Sequence, residues 1–382
     1  MLIDATDERM VAEAVAEAAA GGLGLAVEGN ASKAALGRPM TTARRLRLGG
    51  LSGIVAYEPE ELVLTARAGT PLAEIEAALA GRRQHLAFEP RDLGPLLGGA
   101  GLPQTLGGVV ACGLAGPRRC VGGAVRDHVL GITAVNGLGE LFKAGGKVVK
   151  NVTGYDLVKL LTGSFGTLAV FTEITVKVLP APETEETVVF PGRDATAAVA
   201  LMAGALGGPV EPSAAAWLDG GVCLRLDGFA ASVAARRRRL FADCGEGELL
   251  EAAASRRLWQ DIAGVAPFVG RPGRAVWRLT QRPSDAPALL RRLAMVEGAE
   301  AFLDWGGALA WLSLPTGDDG GAATVRQAVA AGGQAWLVAA PEAIRAVQPV
   351  FPPLPAPLAG LEARVKAAFD PRGILNPGRM RG

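Results

Sequence analysis

Glu28-Gly29-Asn30-Ala31-Ser32-Lys33 and Gly107-Gly108-Val109-Val110-Ala111-Cys112-Gly113 are the two stretches on which the reading of this 382-residue chain turns. The first follows the short apolar strand Leu23 to Val27, and the second lies in a region, Gly94 to Gly123, where glycine recurs every few residues. A pyrophosphate carries two negative charges that several converging backbone N–H groups must meet, and only small residues let the main chain come that close. Lys33 adds a cation beside the first loop, and Gly116 extends the second. Each loop alone reads equally as a tight turn; two of them in strand context resemble two walls of one anion site. Neither the G-x-G-x-x-G fingerprint opening a βαβ unit nor the G-x-x-x-x-G-K-[ST] loop is present, which argues against Rossmann and P-loop cradles.

Outward from these loops, residues 7 to 20 read as an amphipathic helix closed by Gly21-Gly22. Ile54 to Tyr57 and Leu62 to Ala66 read as paired strands, with Thr70 as N-cap and Pro71 as first-turn proline of a helix to about Ala80. Val129 to Asn136 and Leu141 to Lys143 resume strand character around Gly137-Leu138-Gly139, and Asp156 to Thr162 is a short helix. The β-branched run Leu168 to Leu179 stops at Pro180-Ala181-Pro182, which sets the first boundary. Beyond it short strands and helices alternate, the helices including Asp194 to Leu206, Ala230 to Cys244 and Ala286 to Ala294, as in an α+β domain with a largely antiparallel sheet. Pro341 to Pro357 holds six prolines and reads as a linker before a helix from Leu358 to Phe369. Arg236 to Arg239 reads as a solvated helix face, and Trp305 and Trp311 as core or hairpin packing.

Composition excludes several classes. Mean hydropathy of +0.27 and 49% hydrophobic residues are those of a folded chain, and 39 Lys plus Arg against 38 Asp plus Glu leave no excess to bind nucleic acid or anionic lipid. The acidic N-terminus lacks the basic flank and apolar core of a signal peptide, and no apolar run approaches about 18 residues, so the expected location is cytoplasmic, at most peripheral at the inner membrane through partners. The four cysteines, at 112, 120, 223 and 244, show no C-x-x-C spacing, so neither an iron-sulfur cluster nor a metal site is expected. The two histidines are His85 and His128, and residues 183–350 contain none.

The succession Glu28 to Pro39, Cys112-Gly113-Leu114-Ala115-Gly116-Pro117-Arg118-Arg119, Gly123 to Gly131, Lys150-Asn151-Val152-Thr153-Gly154-Tyr155-Asp156, Gly163 to Leu168, Asp304 to Leu309 and Asn376-Pro377-Gly378-Arg379-Met380 resembles the FAD-binding subunit of glycolate oxidase, of the vanillyl-alcohol-oxidase/PCMH flavoprotein superfamily. The resemblance implies an α+β fold: a PCMH-type FAD-binding domain of two α+β subdomains over residues 1–182, an α+β cap domain with a mainly antiparallel sheet over 183–350, and a C-terminal segment, 351–382, returning to the FAD domain. It implies pyrophosphate contacts from Gly29, Asn30, Ala31, Ser32 and Lys33, although Asn30 and Ala31 break the family's run of adjacent glycines. It implies pyrophosphate and ribityl contacts from Pro90, Gly107, Gly108, Ala111, Cys112 and Gly113. Gly123, Arg126, Asp127 and Val129 occupy the position where the family's chain passes the flavin, with Arg126-Asp127 equally readable as a local ion pair. Gly166, Val170 and Ile174 match the strand beside adenine and ribityl, and Asn376 matches an asparagine returning to the flavin, or else a plain turn. His128 reads as scaffold.

Family members with tethered flavin use a His in the first loop or a Cys in the second. The first loop here has no His and Cys112 reads as a small filler, so the expected cofactor is non-covalent FAD. Relatives that oxidise 2-hydroxy acids carry a histidine pair in the cap, which this chain lacks, and its catalytic residues stay unassigned. The resemblance therefore implies a flavoprotein subunit that works on glycolate together with a sister flavoprotein subunit and an iron-sulfur subunit. A stand-alone 2-hydroxy-acid dehydrogenase and a flavin-poor scaffold are the alternatives.

Overall fold

The computed structural model describes residues 1–146 and 155–381. The motif residues Lys150 to Gly154 lie outside them; Tyr155 is exposed and Asp156 caps the helix that follows. Two compact units form: residues 1–115, 123–180 and 353 onward make one, and 116–122 with 181–352 make the other.

The first unit holds two cores. Strands β1 (Leu2–Asp4), β2 (Leu25–Glu28) and β3 (Arg44–Arg47) form a parallel three-stranded sheet in the order β1-β3-β2. Helix α1 (Glu8–Gly21), capped by Asp7, lays Val11, Val15 and Ala18 on this sheet against Leu25, Leu46, Val135 and Leu375. Strands β4 (Ile54–Glu58) and β5 (Val63–Arg67), helix α2 (Leu72–Ala80), the short β6 (Gln84–His85) and helix α3 (Leu106–Cys112) lead into the second core. Helices α4 (Arg119–Gly122) and α5 (Val125–His128), the hairpin β7 (Val129–Val135) and β8 (Leu141–Gly145), helix α6 (Leu157–Leu161) and strand β9 (Val170–Lys177) follow, then β10 (Leu179–Pro180), paired with β6. The antiparallel order β4-β5-β9-β7-β8 presents Leu64, Ile132, Ile174 and Val176 to Ile75, Leu79, Phe88 and Val110.

Three expectations change here. Thr70 does not cap α2, whose N-cap is Pro71; its hydroxyl instead accepts from Gly53 N at 3.0 Å and donates to Arg67 O at 2.7 Å, closing the turn before the helix. The glycine-dense connection is not all loop: α3 forms inside it because Thr105 caps it and Leu106, Val109 and Val110 are buried, which offsets the poor helix propensity of Gly107-Gly108. Residues 116–122 pack with the second unit, where the Trp305 indole N–H donates to Gly116 O at 2.9 Å and the Arg118 guanidinium pairs with Asp227.

The second unit is an eight-stranded antiparallel sheet. Its elements are β11 (Thr184–Phe190), α7 (Ala195–Gly207), β12 (Ala214–Leu218), β13 (Gly221–Gly228), α8 (Ala230–Cys244), β14 (Glu248–Leu250), α9 (Ala252–Gly264), β15 (Arg274–Thr280), α10 (Ala286–Leu293), β16 (Glu300–Asp304), β17 (Leu309–Pro315), α11 (Ala322–Ala328), β18 (Gln334–Ala339) and α12 (Glu342–Val347). The strand order is β14-β11-β13-β12-β16-β17-β15-β18. Arg236 is not simply solvated, since it donates to Glu211 O at 3.1 Å and to Asp227 O, and Arg237 pairs with Glu186 at 2.7 Å. The proline-rich stretch is not a free linker: α12 lies within it, Leu337 N donates to Val350 O, and Phe351 meets Trp336 edge-on at 5.0 Å. Helix α13 (Ala356–Phe369) then belongs to the first unit.

Candidate cofactor cleft

The first unit contains a cleft walled by both glycine-rich loops. Gly29, Asn30, Ala31, Ser32 and Lys33 form one wall, Gly107, Gly108, Ala111 and Cys112 another, and Gly166, Val170 and Asn376 close it. Each loop is packed tightly through a glycine, the first against Thr105 just ahead of the second loop and the second against Ala68 just past the end of β5. An added Cβ on Gly29 would stand 2.3 Å from Thr105 Oγ1, and one on Gly107 2.8 Å from Ala68 O. Thr105 is committed in turn, accepting from Gly108 N at 3.3 Å as the N-cap of α3.

Backbone strain gathers at the same place. Ala31, Phe165 and Asn376 all have left-handed backbones, with φ of 58°, 56° and 42°. A non-glycine residue pays about 1–3 kcal/mol for such a conformation, which persists only where surrounding contacts dictate it. For Asn376 those contacts are explicit: its side chain accepts from Val27 N at 2.7 Å and donates to Phe165 O at 2.8 Å, and its own N–H donates to Leu25 O. It is thus more than a turn residue, because it ties the C-terminal tail to β2 and to the Phe165-Gly166 turn.

The electrostatics of the cleft centre on Lys33. Its ammonium is buried and reaches Gln104 Oε1 at 3.0 Å, a neutral partner, and desolvation lowers its pKa from the usual lysine value. Burial pushes the Cys112 thiol up against the opposing pull of Lys33 and Arg379, so it stays protonated.

Seven expected contacts lie off this cleft. Pro90 bridges Ala115, and Gly113 ends α3 at φ 63° facing Gly163. Gly123 turns at φ 83° beside Asp127, whose carboxylate accepts from Ala124 N at 2.8 Å and so caps α5; Arg126 is exposed. Val129 and Ile174 are in the core beneath the five-stranded sheet. Ile174 lies four residues from Val170 on β9, but a register shift between them turns it to the other face: Val170 pairs with Val135 in the core under the parallel sheet, whereas Ile174 pairs with Ile132 in the other core. His128 is buried with its ring 5.5 Å from Phe88, as scaffold.

Sequence reasoning missed Thr105, Ala68, Met40, Leu48, Phe165, Ala169, Phe171 and Arg379, and the flanks Ala26, Val27, Glu28 and Ala34, which all line the cleft. Thr105 was findable as an N-cap ahead of a short apolar run, and Arg379 as the cation three residues after Asn376. Met40 and Leu48 carry no local signal.

The sequence profile of the FAD binding domain matches residues 1–145, which, with the two-core first unit and the cleft, defines a flavin-dependent oxidoreductase of the PCMH type. Among solved structures, alkyldihydroxyacetonephosphate synthase shares the fold, with a TM-score of 0.70 over 98% of this chain and 76% of that one at 14% identity. Glycolate oxidase subunit GlcE of Escherichia coli (strain K12) is 40% identical over 93% of this chain and 92% of its own length. Glycolate oxidase subunit GlcD of Bacillus subtilis (strain 168) is 34% identical over 33% of this chain and 27% of its own length. The chain belongs to the family of the FAD-binding glycolate oxidase subunit GlcE. Its cofactor is FAD. Among the described residues no helix is long and apolar enough to cross a membrane.

Proposed function

We propose that this chain is the electron-handling flavoprotein of a glycolate-oxidising complex. A sister flavoprotein subunit takes two electrons and two protons from glycolate to give glyoxylate; this chain holds a second FAD, and an iron-sulfur subunit removes the electrons. The observation that carries the reading is a divided one: the first unit has a cleft walled by both glycine-rich loops and the buried Lys33, while residues 183–350 contain no histidine to serve as base or metal ligand for a hydroxy acid.

The residues fit FAD on their own chemistry. Gly29 and Gly107 are pressed against Thr105 and Ala68, so the backbone itself lines the wall, and the buried Lys33 ammonium has no carboxylate partner among the described residues. A buried cation left this way is costly unless an anion joins it. Gly29, Asn30, Ala31, Ser32, Lys33, Gly107, Gly108, Ala111 and Cys112 would hold the diphosphate, and Gly166, Val170 and Asn376 the neighbouring part of the cofactor. Bound FAD supplies a two-electron carrier whose potential the surrounding protein sets. The protonated, buried Cys112 thiol is a poor nucleophile, which favours FAD held without a covalent bond.

The test is a flavin assay on purified protein. We expect a yellow protein whose FAD is released by acid, stays oxidised when glycolate is added anaerobically to the chain alone, and is reduced once the sister subunit is present. Bleaching by glycolate alone would instead make the chain a self-sufficient dehydrogenase, and failure to bind flavin after reconstitution would leave a scaffold.

A further inference from the structure

Two cations from opposite ends of the chain meet in the cleft. Arg379 lines it with Lys33, and the Arg379 guanidinium donates to the carbonyl oxygen of Lys33 itself at 2.9 Å. The backbone is stitched here as well, since Arg38 N donates to Arg379 O at 2.9 Å. The groups around Lys33 offer its buried ammonium little compensating charge. Gln104 is neutral and Cys112 holds its proton. Asp92 acts on Lys33 from a distance, but it is exposed and one of its oxygens accepts from Gly94 N at 2.9 Å. Both cations act on Cys112, at the end of α3, so their fields converge on one spot.

We infer that Lys33 and Arg379 form a single two-cation seat for the diphosphate of the dinucleotide, so that docking of the C-terminal tail and binding of the cofactor are one coupled event. The inference rests on the reading that FAD occupies this cleft. A dianion seated where both cations act would satisfy the buried ammonium and engage the guanidinium in one step. Because Arg379 stands three residues beyond Asn376, which ties the tail to β2 and to Phe165, the charge arrives only when the tail is seated. Flavin binding therefore stabilises the closed tail, and a loosened tail releases flavin.

The experiment is titration of apo-protein with FAD, followed by flavin fluorescence, for wild type, Arg379→Gln, Arg379→Lys, Lys33→Met and the Lys33→Met/Arg379→Gln double variant, with carboxypeptidase digestion of each with and without FAD. Gln keeps a donor for the Lys33 carbonyl while removing the charge. Arg379→Gln is expected to weaken FAD roughly tenfold or more, as loss of a charge-assisted contact implies, with Arg379→Lys retaining most of the affinity. The double variant is expected to lose less than the product of the single losses, because both cations serve one ligand. Bound FAD is expected to slow removal of the tail in wild type and to slow it less in Arg379→Gln. Wild-type affinity in Arg379→Gln, or a tail digested at the same rate with and without bound FAD, overturns the inference. A wild-type protein that binds no FAD overturns the underlying reading instead.

Discussion

Ala31 occupies a backbone conformation that suits glycine, and this single residue separates what the loop needs from what the chain supplies. Relief of its left-handed strain by Ala31→Gly is expected to raise apo-protein stability by about 1 kcal/mol in thermal melts, with FAD content undiminished. Gly29→Ala is expected to do the reverse, since its new methyl would meet Thr105 Oγ1; the flavin-to-protein ratio after purification should fall sharply. Lys33 gives the pH dependence. Its folded pKa is lowered by burial, so between that value and the usual lysine value the unfolded chain holds more protons than the folded one, and apo-protein stability rises with pH across this window. The charge acting on it is Asp92, with the protonated Cys112 beside it and the Arg379 guanidinium on its backbone carbonyl. An anionic ligand favours charged Lys33, so the stabilisation conferred by FAD is expected to shrink over the same window, read as the difference between holo and apo melting temperatures. At this scale the glycines of the cleft and Lys33 were legible because small residues and a lone cation carry their own chemistry. Met40 and Phe171 were not, since their place depends on the fold rather than on local pattern.

At the scale of elements, periodicity placed most helices well: Ala230 to Cys244 is helical over the span its sequence predicts. Elements escaped where local signals conflict. Gly107-Gly108 disguises α3, and prolines on both sides disguise α12. Helix α9 went unread although Ser255, Trp259 and Ile262 fall at helical spacing on its buried face, because Arg256-Arg257 interrupts the apolar pattern. That face shows how the second unit handles polar groups in its core. Trp259 Nε1 donates to Thr187 Oγ1 at 2.8 Å, Thr187 and Ser255 share a bond of 2.7 Å, and Ser255 Oγ donates to Glu185 at 2.7 Å. Thr187→Val would orphan the indole N–H and is expected to cost about 1–3 kcal/mol in urea unfolding. In the first unit Asp370 plays the equivalent part, accepting from Ile374 N at 3.1 Å, Leu375 N at 2.8 Å and Lys366 Nζ at 2.6 Å. Asp370→Ala is expected to cost about 2–4 kcal/mol by the same measurement and to speed proteolysis of the tail, since it strands two backbone donors and removes the counter-charge of Lys366, which keeps its bonds to Thr167 O and Leu375 O.

At the scale of the molecule, the alternation of elements and the break at Pro180-Ala181-Pro182 indicated two α+β bodies, but not that residues 116–122 would cross from one to the other. No local pattern could disclose that, because the pairing of Arg118 with Asp227 and the burial of Trp305 against Gly116 depend on partners more than a hundred residues away. The same holds for the seam between Leu25 and Leu375, where the tail adds a parallel bridge beside the strand that leads into the first glycine loop. That seam has a consequence in time. The residues bonded to β2 are translated long after it, 349 residues later in the case of Asn376 and Val27. The nascent chain can begin to collapse around both cores of its first unit, yet it cannot finish the wall containing Asn376 and Arg379 until that segment has emerged. A product truncated before Asn376 would therefore lack both the asparagine and the arginine of the cleft wall, and is expected to retain less cofactor.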